Sequence, residues 1–306
     1  AQVKMLKENG RLELVPVGTW SSRFAEGARA TVFTDKGAYR GTILPLKASG
    51  HTFNEEIDSQ PVAWDHVEMR VDALVKGSAD LARLGFAIGD LVAIDPQPEF
   101  IDNDFIVSRH LDDKAGVAIL FATLEALIRQ KADLPVDLFA IFSISEEVGI
   151  GGASVLTDDI ASMVTVDNGT TAPGQASSEF GVTLAMADQS GPFDFHLTQK
   201  LAKLCEANDI RYQKDIFRYY RSDSAAALQA GYDVRTALVA FGIDGSHGYE
   251  RIHMHALRSI AELLTAFATS EVEITRDKEH FGSLAGFPSQ PMEDADVFSA
   301  PQKPPV

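Results

Sequence analysis

Apolar residues are spaced in two different ways along this chain, and the change falls near residue 102. Before it, the apolar runs are short and are separated by Gly, Asp, Asn and Pro, a pattern typical of β-strands joined by turns. We predict one short helix, over Gly77–Leu84, and the following strands: Arg11–Val17, Ala30–Thr34, Tyr39–Leu46, His66–Val71 and Leu91–Ile94. Residues 1–102 are therefore predicted to form a β-rich domain.

Residues 103–270 alternate between helical and extended patterns, which is typical of an α/β domain. Apolar residues recur at helical spacing over residues 114–130, which predicts an amphipathic helix whose apolar positions are Val117, Leu120, Leu124, Leu127 and Ile128. Three apolar runs predict strands, the first of them nearly continuous and short enough for a strand covered on both faces: Val136–Ile144, Ser162–Val166 and Val234–Phe241.

Acidic residues stand where these predicted elements begin or end. The pair Asp112-Asp113 precedes the helix, the pair Glu146-Glu147 follows the first strand, Asp167 follows the second strand, and His247 lies in the glycine-containing segment after the third. Ligands bind at the carboxyl ends of strands in open α/β sheets, so we expect these side chains to collect at one edge of one sheet. Taken alone, the Asp pair is better explained as a helix N-cap and the Glu pair as a solvated surface feature. Together, carboxylates and a histidine suit divalent zinc, cobalt or manganese.

The order and spacing of these motifs resemble those of the M42 family of dinuclear-metal aminopeptidases, the glutamyl-aminopeptidase-like enzymes that form tetrahedral particles. The shared motifs are Asp-Asp-Lys-x-Gly at residues 112–116, Glu-Glu-x-Gly at 146–149, a strand-terminal Asp at 167 and Ser-His-Gly-Tyr-Glu at 246–250. The resemblance extends over roughly residues 1–270. The Ser-His-Gly-Tyr-Glu form is similar to that of an M42 branch associated with osmoprotectant dipeptide metabolism.

The resemblance implies an α/β fold in which a di-metal peptidase domain, residues 103–270, has a mixed sheet sandwiched by helices. Residues 1–102 would be a β-rich, barrel-like domain inserted into it. In the family, the inserted domain makes dimer contacts and the dimers assemble into a hollow dodecamer. We therefore expect a homo-oligomer that acts on peptide substrates.

The resemblance also implies a role for each motif residue. Asp112 would bridge two divalent metal ions, with zinc or cobalt expected and manganese as an alternative. Glu147 and His247 would complete one metal site, and Asp167 would belong to the other. Glu146 would be the general base that takes a proton from the water that the metals activate.

One expected motif is absent from this sequence. Family members carry an early His-x-Asp motif, whose His completes the metal site that uses Asp167, and we expect that segment to lie upstream in a longer protein. Without it, only Asp112 and Asp167 serve the second site, so one tight and one weak metal equivalent are expected unless His110 substitutes. His110 is otherwise expected to line the site, and Asp223 to orient substrate or to cap a helix. The family also implies a cis peptide bond between Asp112 and Asp113.

Composition narrows the classes of partner. The 306 residues carry 44 acidic and 27 basic side chains, for a net charge of −17, which argues against nucleic acid and anionic membranes. No apolar run approaches the ~18–20 residues of a membrane span. The single cysteine, Cys205, permits no internal disulfide and fits a reducing cytoplasm. After Ser270 the helical pattern fades, and residues 271–306 are predicted to be an extended or disordered tail.

The leading function hypothesis is a metal-dependent aminopeptidase that removes N-terminal residues from small peptides. A deacylase or specialised dipeptide hydrolase on the same scaffold is a second hypothesis. A non-catalytic assembly protein that has lost a metal ligand is a third.

Overall fold

Two β-sheets organise the chain in the computed structural model, which describes residues 1–273. The strands are β1 Gln2–Leu6, β2 Leu12–Val15, β3 Arg29–Thr34, β4 Gly37–Pro45, β5 Val67–Val71, β6 Leu91–Ile94, β7 Glu99–Phe100, β8 Phe105–Ser108, β9 Ser162–Thr170, β10 Val182–Asp188, β11 Gly191–Pro192, β12 Tyr212–Ile216, β13 Arg235–Asp244 and β14 Glu250–His253. The helices are α1 Gly50–Phe53, α2 Glu56–Ser59, α3 Ser78–Leu84, α4 Leu111–Gln130, α5 Phe195–Ala207, α6 Asp223–Gln229 and α7 Met254–Thr269. Residues Ala1–Val272 form one compact unit.

The first sheet closes into a six-stranded barrel in the order β1-β2-β5-β4-β3-β6. Alternate residues of each strand point inward and fill the barrel with aliphatic side chains, among them Leu12, Val32, Ile43 and Met69. The five strands predicted before residue 102 and the short helix α3 are all present, so the predicted barrel-like module is confirmed.

The second sheet has eight strands and is mixed. Strand β13 pairs in parallel with β9 and antiparallel with β10 and β14, and β14 continues through β8 to β7. Helices α4, α5 and α7 pack together against this sheet, and α6 packs against β9 and β13. The α/β fold with a mixed sheet is therefore confirmed.

Helix α4 buries a different face from the one predicted. Of the five apolar positions assigned to its core side, only Leu127 is buried, while Val117 and Ile128 are exposed. The side chains that face the interior are Ala115, Gly116, Ile119, Thr123 and Leu127. The buried stripe begins with small residues, so the spacing of large apolar residues does not mark the buried face of this helix.

The prediction of a buried strand over Val136–Ile144 is wrong. The structure has no strand in this segment, and Val136, Phe139 and Ile144 are exposed. An apolar run forms a strand only when a neighbouring strand satisfies its backbone hydrogen bonds. Among residues 1–273, β9 pairs with β13 along one of its edges and with no strand along the other.

Of the predicted tail over 271–306, residues 274–306 lie outside the described residues. In residues 1–273, none of the helices combines the length and the apolar character needed to cross a membrane.

Candidate metal centre

The predicted site residues come from four chain segments that meet beside the mixed sheet. Asp112 lies in the first turn of α4, four residues after β8 ends. Glu146 and Glu147 open a short 3-10 turn that ends at Gly149, whose positive φ of 81° favours glycine. Asp167 lies within β9, which continues to Thr170 rather than ending at the aspartate. His247 lies in the loop between β13 and β14.

Asp112, Glu147 and His247 form one group of candidate metal ligands. One ligand atom from each of the three lies within 4.8 Å of the others. The Nε2 atom of His247 is 3.2 Å from Asp112 Oδ2 and 3.4 Å from Glu147 Oε2. The other ring nitrogen, Nδ1, lies 2.6 Å from the Thr19 carbonyl oxygen. A carbonyl only accepts, so Nδ1 carries the donated proton and Nε2 faces the two carboxylates, as a metal-binding imidazole requires.

Asp112, Asp113 and Asp167 form a second group, with ligand atoms also within 4.8 Å of one another. Asp112 is common to both groups, which is the placement that a carboxylate shared by two cations needs. Asp167 is buried, and its Oδ1 accepts hydrogen bonds from the backbone and side-chain nitrogens of Asn168. The peptide bond between Asp112 and Asp113 is cis, as expected.

These carboxylates repel one another, and burial disfavours the ionised form of several of them. Burial, followed by the charges of Glu147 and Asp223, raises the pKa of Glu146 from 4.5 to about 7. Burial and neighbouring carboxylates also hold the pKa values of Asp113 and Asp167 well above the usual range. The hydrogen bond to Asp112 raises the pKa of His247 to about 9. A divalent cation would relieve this excess of negative charge, and the donor set of imidazole and carboxylates suits zinc, cobalt or manganese.

Asp113 is a site residue that sequence reasoning missed. Its carboxylate folds back over the first turn of α4 and accepts a hydrogen bond from the Gly116 nitrogen at 3.2 Å. A Cβ at Gly116 would collide with this carboxylate. The glycine of the Asp-Asp-Lys-Ala-Gly motif therefore makes room for Asp113. The repeated aspartate was the available signal.

Glu250 is a second residue whose role was missed. It is buried at the start of β14, opposite Ser108 of β8. One carboxylate oxygen accepts from the backbone nitrogens of Leu111 at 2.7 Å and Asp112 at 3.1 Å, and the other accepts from the His247 nitrogen at 2.8 Å. Glu250 thus joins the two segments that carry Asp112 and His247.

The structure does not bring the two remaining predicted residues into either ligand group. His110 is exposed, and its Nε2 lies 3.2 Å from the Ile94 carbonyl oxygen. Asp223 accepts from the Ser143 hydroxyl at 2.5 Å, and Ser222 rather than Asp223 is the N-cap of α6. Asp223 still acts on the site through its charge, since it helps to raise the pKa of Glu146.

Tyr220 is the third residue that sequence reasoning missed. It packs against the core residue Phe217, and its buried hydroxyl faces Asp167 without a hydrogen bond of standard geometry. Burial, followed by the charge of Asp167, holds the pKa of this phenol well above its usual range. Tyr220 is therefore neutral and lies beside the second ligand group.

Comparisons with known proteins agree with this geometry. The family model for the M42 glutamyl aminopeptidases matches residues 1–263. YhfE of Bacillus subtilis (strain 168), an aminopeptidase by name, is 36% identical over 271 residues, which cover 88% of this chain and 78% of YhfE.

Solved structures show the same fold. The TET aminopeptidase from the marine sediment archaeon Thaumarchaeota archaeon SCGC AB-539-E09 superposes with a TM-score of 0.77 at 17% identity, covering 88% of this chain and 77% of that one. The TET1 peptidase of Pyrococcus horikoshii gives a TM-score of 0.74 at 19% identity, covering 88% of this chain and 80% of that one. That peptidase is described as able to assemble into a tetrahedron or a large octahedral shell.

Proposed function

Because this chain belongs to the M42 glutamyl aminopeptidase family, we infer that it is a metal-dependent aminopeptidase that removes N-terminal residues from small peptides. The observation that carries this conclusion is the position of Asp112, which is shared by two groups of candidate ligands, one with a histidine and one with carboxylates alone. Two-metal sites occur in aminopeptidases as well as in phosphatases and nucleases, and the family match selects the aminopeptidase among them.

We propose that Asp112, Glu147 and His247 hold one cation and that Asp112, Asp113 and Asp167 contribute to the site of the second. Zinc or cobalt is the expected ion, since an imidazole and carboxylates form the first set. When bound, such cations lower the pKa of a water molecule and polarise the carbonyl of the scissile bond. The burial of Asp167 and the raised pKa values of Asp113 and Asp167 support the second site, because both indicate carboxylates that lack a counter-charge.

We propose that Glu146 is the general base. It lies next to the ligand Glu147 but outside both ligand groups, and burial raises its pKa to about 7, near the pH at which a base works best. Glu146 would accept a proton from the attacking water as the water oxygen bonds to the carbonyl carbon. It would then give that proton to the leaving nitrogen as the C–N bond breaks.

We also propose that the protein is a cytoplasmic homo-oligomer built from dimers. The single cysteine supports a reducing compartment. The barrel domain exposes large apolar side chains, including Leu74 and Ile88, that an interface would cover. Light scattering that gave a monomeric mass at micromolar concentration would contradict this assembly.

Hydrolysis assays on matched substrates test the function. Protein that has been stripped with a chelator and reloaded with zinc, cobalt or manganese should release the first residue of peptides with a free amino terminus, and it should leave the N-acetyl forms intact. Chelation should abolish the activity, and Glu146→Gln serves as the control for a contaminating peptidase. Preference for the N-acetyl substrates would indicate a deacylase. Metal binding without hydrolysis of either substrate would indicate a non-catalytic protein.

A further inference from the structure

The segment Gly18–Phe24, which lies within the connection between β2 and β3, brings the barrel into contact with the candidate metal centre. Three observations place this segment against the ligands Glu147 and His247. The Thr19 carbonyl oxygen lies 2.6 Å from His247 Nδ1. Gly18 lies against the backbone of Glu147, since a Cβ at Gly18 would come within 2.9 Å of the Glu147 carbonyl oxygen.

The third contact lies beside His247. Gly248 packs under the ring of Phe24, close enough that a Cβ on Gly248 would lie 2.9 Å from Phe24 Cδ1. Phe24 therefore covers the backbone of the residue that follows the ligand. Contacts to both ligand-bearing loops come from the same seven-residue segment of the barrel.

The segment is itself anchored to the barrel. Trp20 and Trp64 pack edge to face with ring centroids 4.6 Å apart, and the Trp64 indole nitrogen donates to the Trp20 carbonyl oxygen at 3.1 Å. Both rings pack on the barrel core. A displacement of the segment would therefore require a change in the barrel, so its position is fixed independently of the metal centre.

We propose that Gly18–Phe24 is a positioning element for the cation site of Asp112, Glu147 and His247, through which the barrel sets the affinity of that site. Thr19 fixes the orientation and tautomer of the His247 ring, and Gly18 sets how far Glu147 can approach it. Outer-shell partners of this kind typically change metal affinity by about 10–100-fold. The inference rests on the proposed function, because it assumes that these three residues hold a cation.

Gly18→Ala tests the proposal, and Gly27→Ala is its matched control. Gly18 and Gly27 have φ values of +76° and +77°, and both lie in the barrel domain, but nothing lies within 4 Å of a Cβ at Gly27. Alanine at either position carries the same backbone strain and should lower the melting temperature of the chelated protein by roughly 2–4 °C. Only Gly18→Ala should weaken zinc binding, by about 10–100-fold in calorimetric titration of the chelated protein.

A second pair keeps the test informative if Gly18→Ala fails to fold. Phe24 and Phe33 are both partly exposed barrel phenylalanines, at 38% and 51%, so truncation of either should be tolerated. Phe24→Ala should weaken zinc binding several-fold, whereas Phe33→Ala should not. Equal zinc affinities within each pair would overturn the proposal. Failure of the wild-type protein to bind zinc would instead overturn the proposed function, so the two failures are distinguishable.

Discussion

Glu146 is expected to make the metal-free protein less stable as the pH rises. Its pKa in the folded protein is about 7, against an ordinary value of 4.5, because burial and the charges of Glu147 and Asp223 disfavour the ionised form. The folded state therefore binds this proton more tightly than the unfolded state does. The stabilisation is fully present below pH 4.5 and is lost as the pH rises through about 7.

The size of the effect follows from the shift. The stabilisation falls by about 1.4 kcal/mol for each pH unit between the unfolded pKa of 4.5 and the folded pKa of about 7. The range from pH 5.5 to 7.5 includes roughly 1.5 units of that interval. That gives an upper value of roughly 2 kcal/mol, and because Glu146 is partly solvated, screening reduces it to about 1 kcal/mol. Glu146→Gln removes the charge, so the variant should gain about 1 kcal/mol over the wild type across this range.

Urea denaturation of chelated protein at pH 5.5 and 7.5 measures the difference. Glu262→Gln, which changes an exposed glutamate on α7, is the control and should follow the wild type. The imidazole of His247 titrates at higher pH than Glu146, because its pKa is raised from 6.5 to about 9. Its stabilisation of the folded protein is therefore fully present below pH 6.5 and is lost as the pH rises through about 9. If the free energies of unfolding of wild type and Glu146→Gln changed in parallel from pH 5.5 to 7.5, the reasoning would be refuted.

Three further predictions concern single residues. Glu146→Gln should lower kcat by about 10²–10⁴-fold with metal content unchanged, whereas Glu147→Gln should lose metal, both measured by inductively coupled plasma mass spectrometry after dialysis. Near-normal turnover in Glu146→Gln would contradict the role of Glu146 as general base. Glu250→Gln places an amide against a backbone N–H and should weaken zinc binding about tenfold. The control Glu68→Gln changes a buried barrel glutamate paired with Lys7, so it should lower the melting temperature without changing zinc affinity. Equal zinc affinities of the two variants would contradict the positioning role of Glu250. Cys205 is buried, and burial raises the pKa of its thiol to about 12, so iodoacetamide at pH 8 should modify it only after denaturation. Rapid labelling of the native protein, detected by mass spectrometry, would contradict the burial of Cys205.

The sequence predicted the barrel and the ligand groups because local signals carried them. The barrel strands are short and end at turn residues, and their side chains point alternately into and out of the barrel. The residues Asp112, Glu147, Asp167 and His247 each belong to a short motif whose order matched a family. The structure groups Glu147 and His247 with Asp112, and Asp167 with Asp112, as the family order implied. The second group also contains Asp113, which the motifs did not indicate.

Other features depend on contacts that no local pattern records. Glu250 acts on Leu111, which is 139 positions away in the chain, and Thr19 acts on His247 across 228 positions. The apolar run over Val136–Ile144 has the composition of a buried strand, but it pairs with no strand even though one edge of β9 is unpaired among residues 1–273. Composition does not record whether such pairing forms. Helix α4 shows the same limit, since packing selected its buried face and large apolar residues did not.

Anomalous scattering from crystals of the protein grown with zinc tests the central claim most directly. The account predicts a zinc peak in contact with Asp112, Glu147 and His247, and a second peak that shares Asp112 and lies against Asp167. Zinc bound elsewhere on the protein, or well-ordered density for these side chains with no anomalous peak between them, would contradict it.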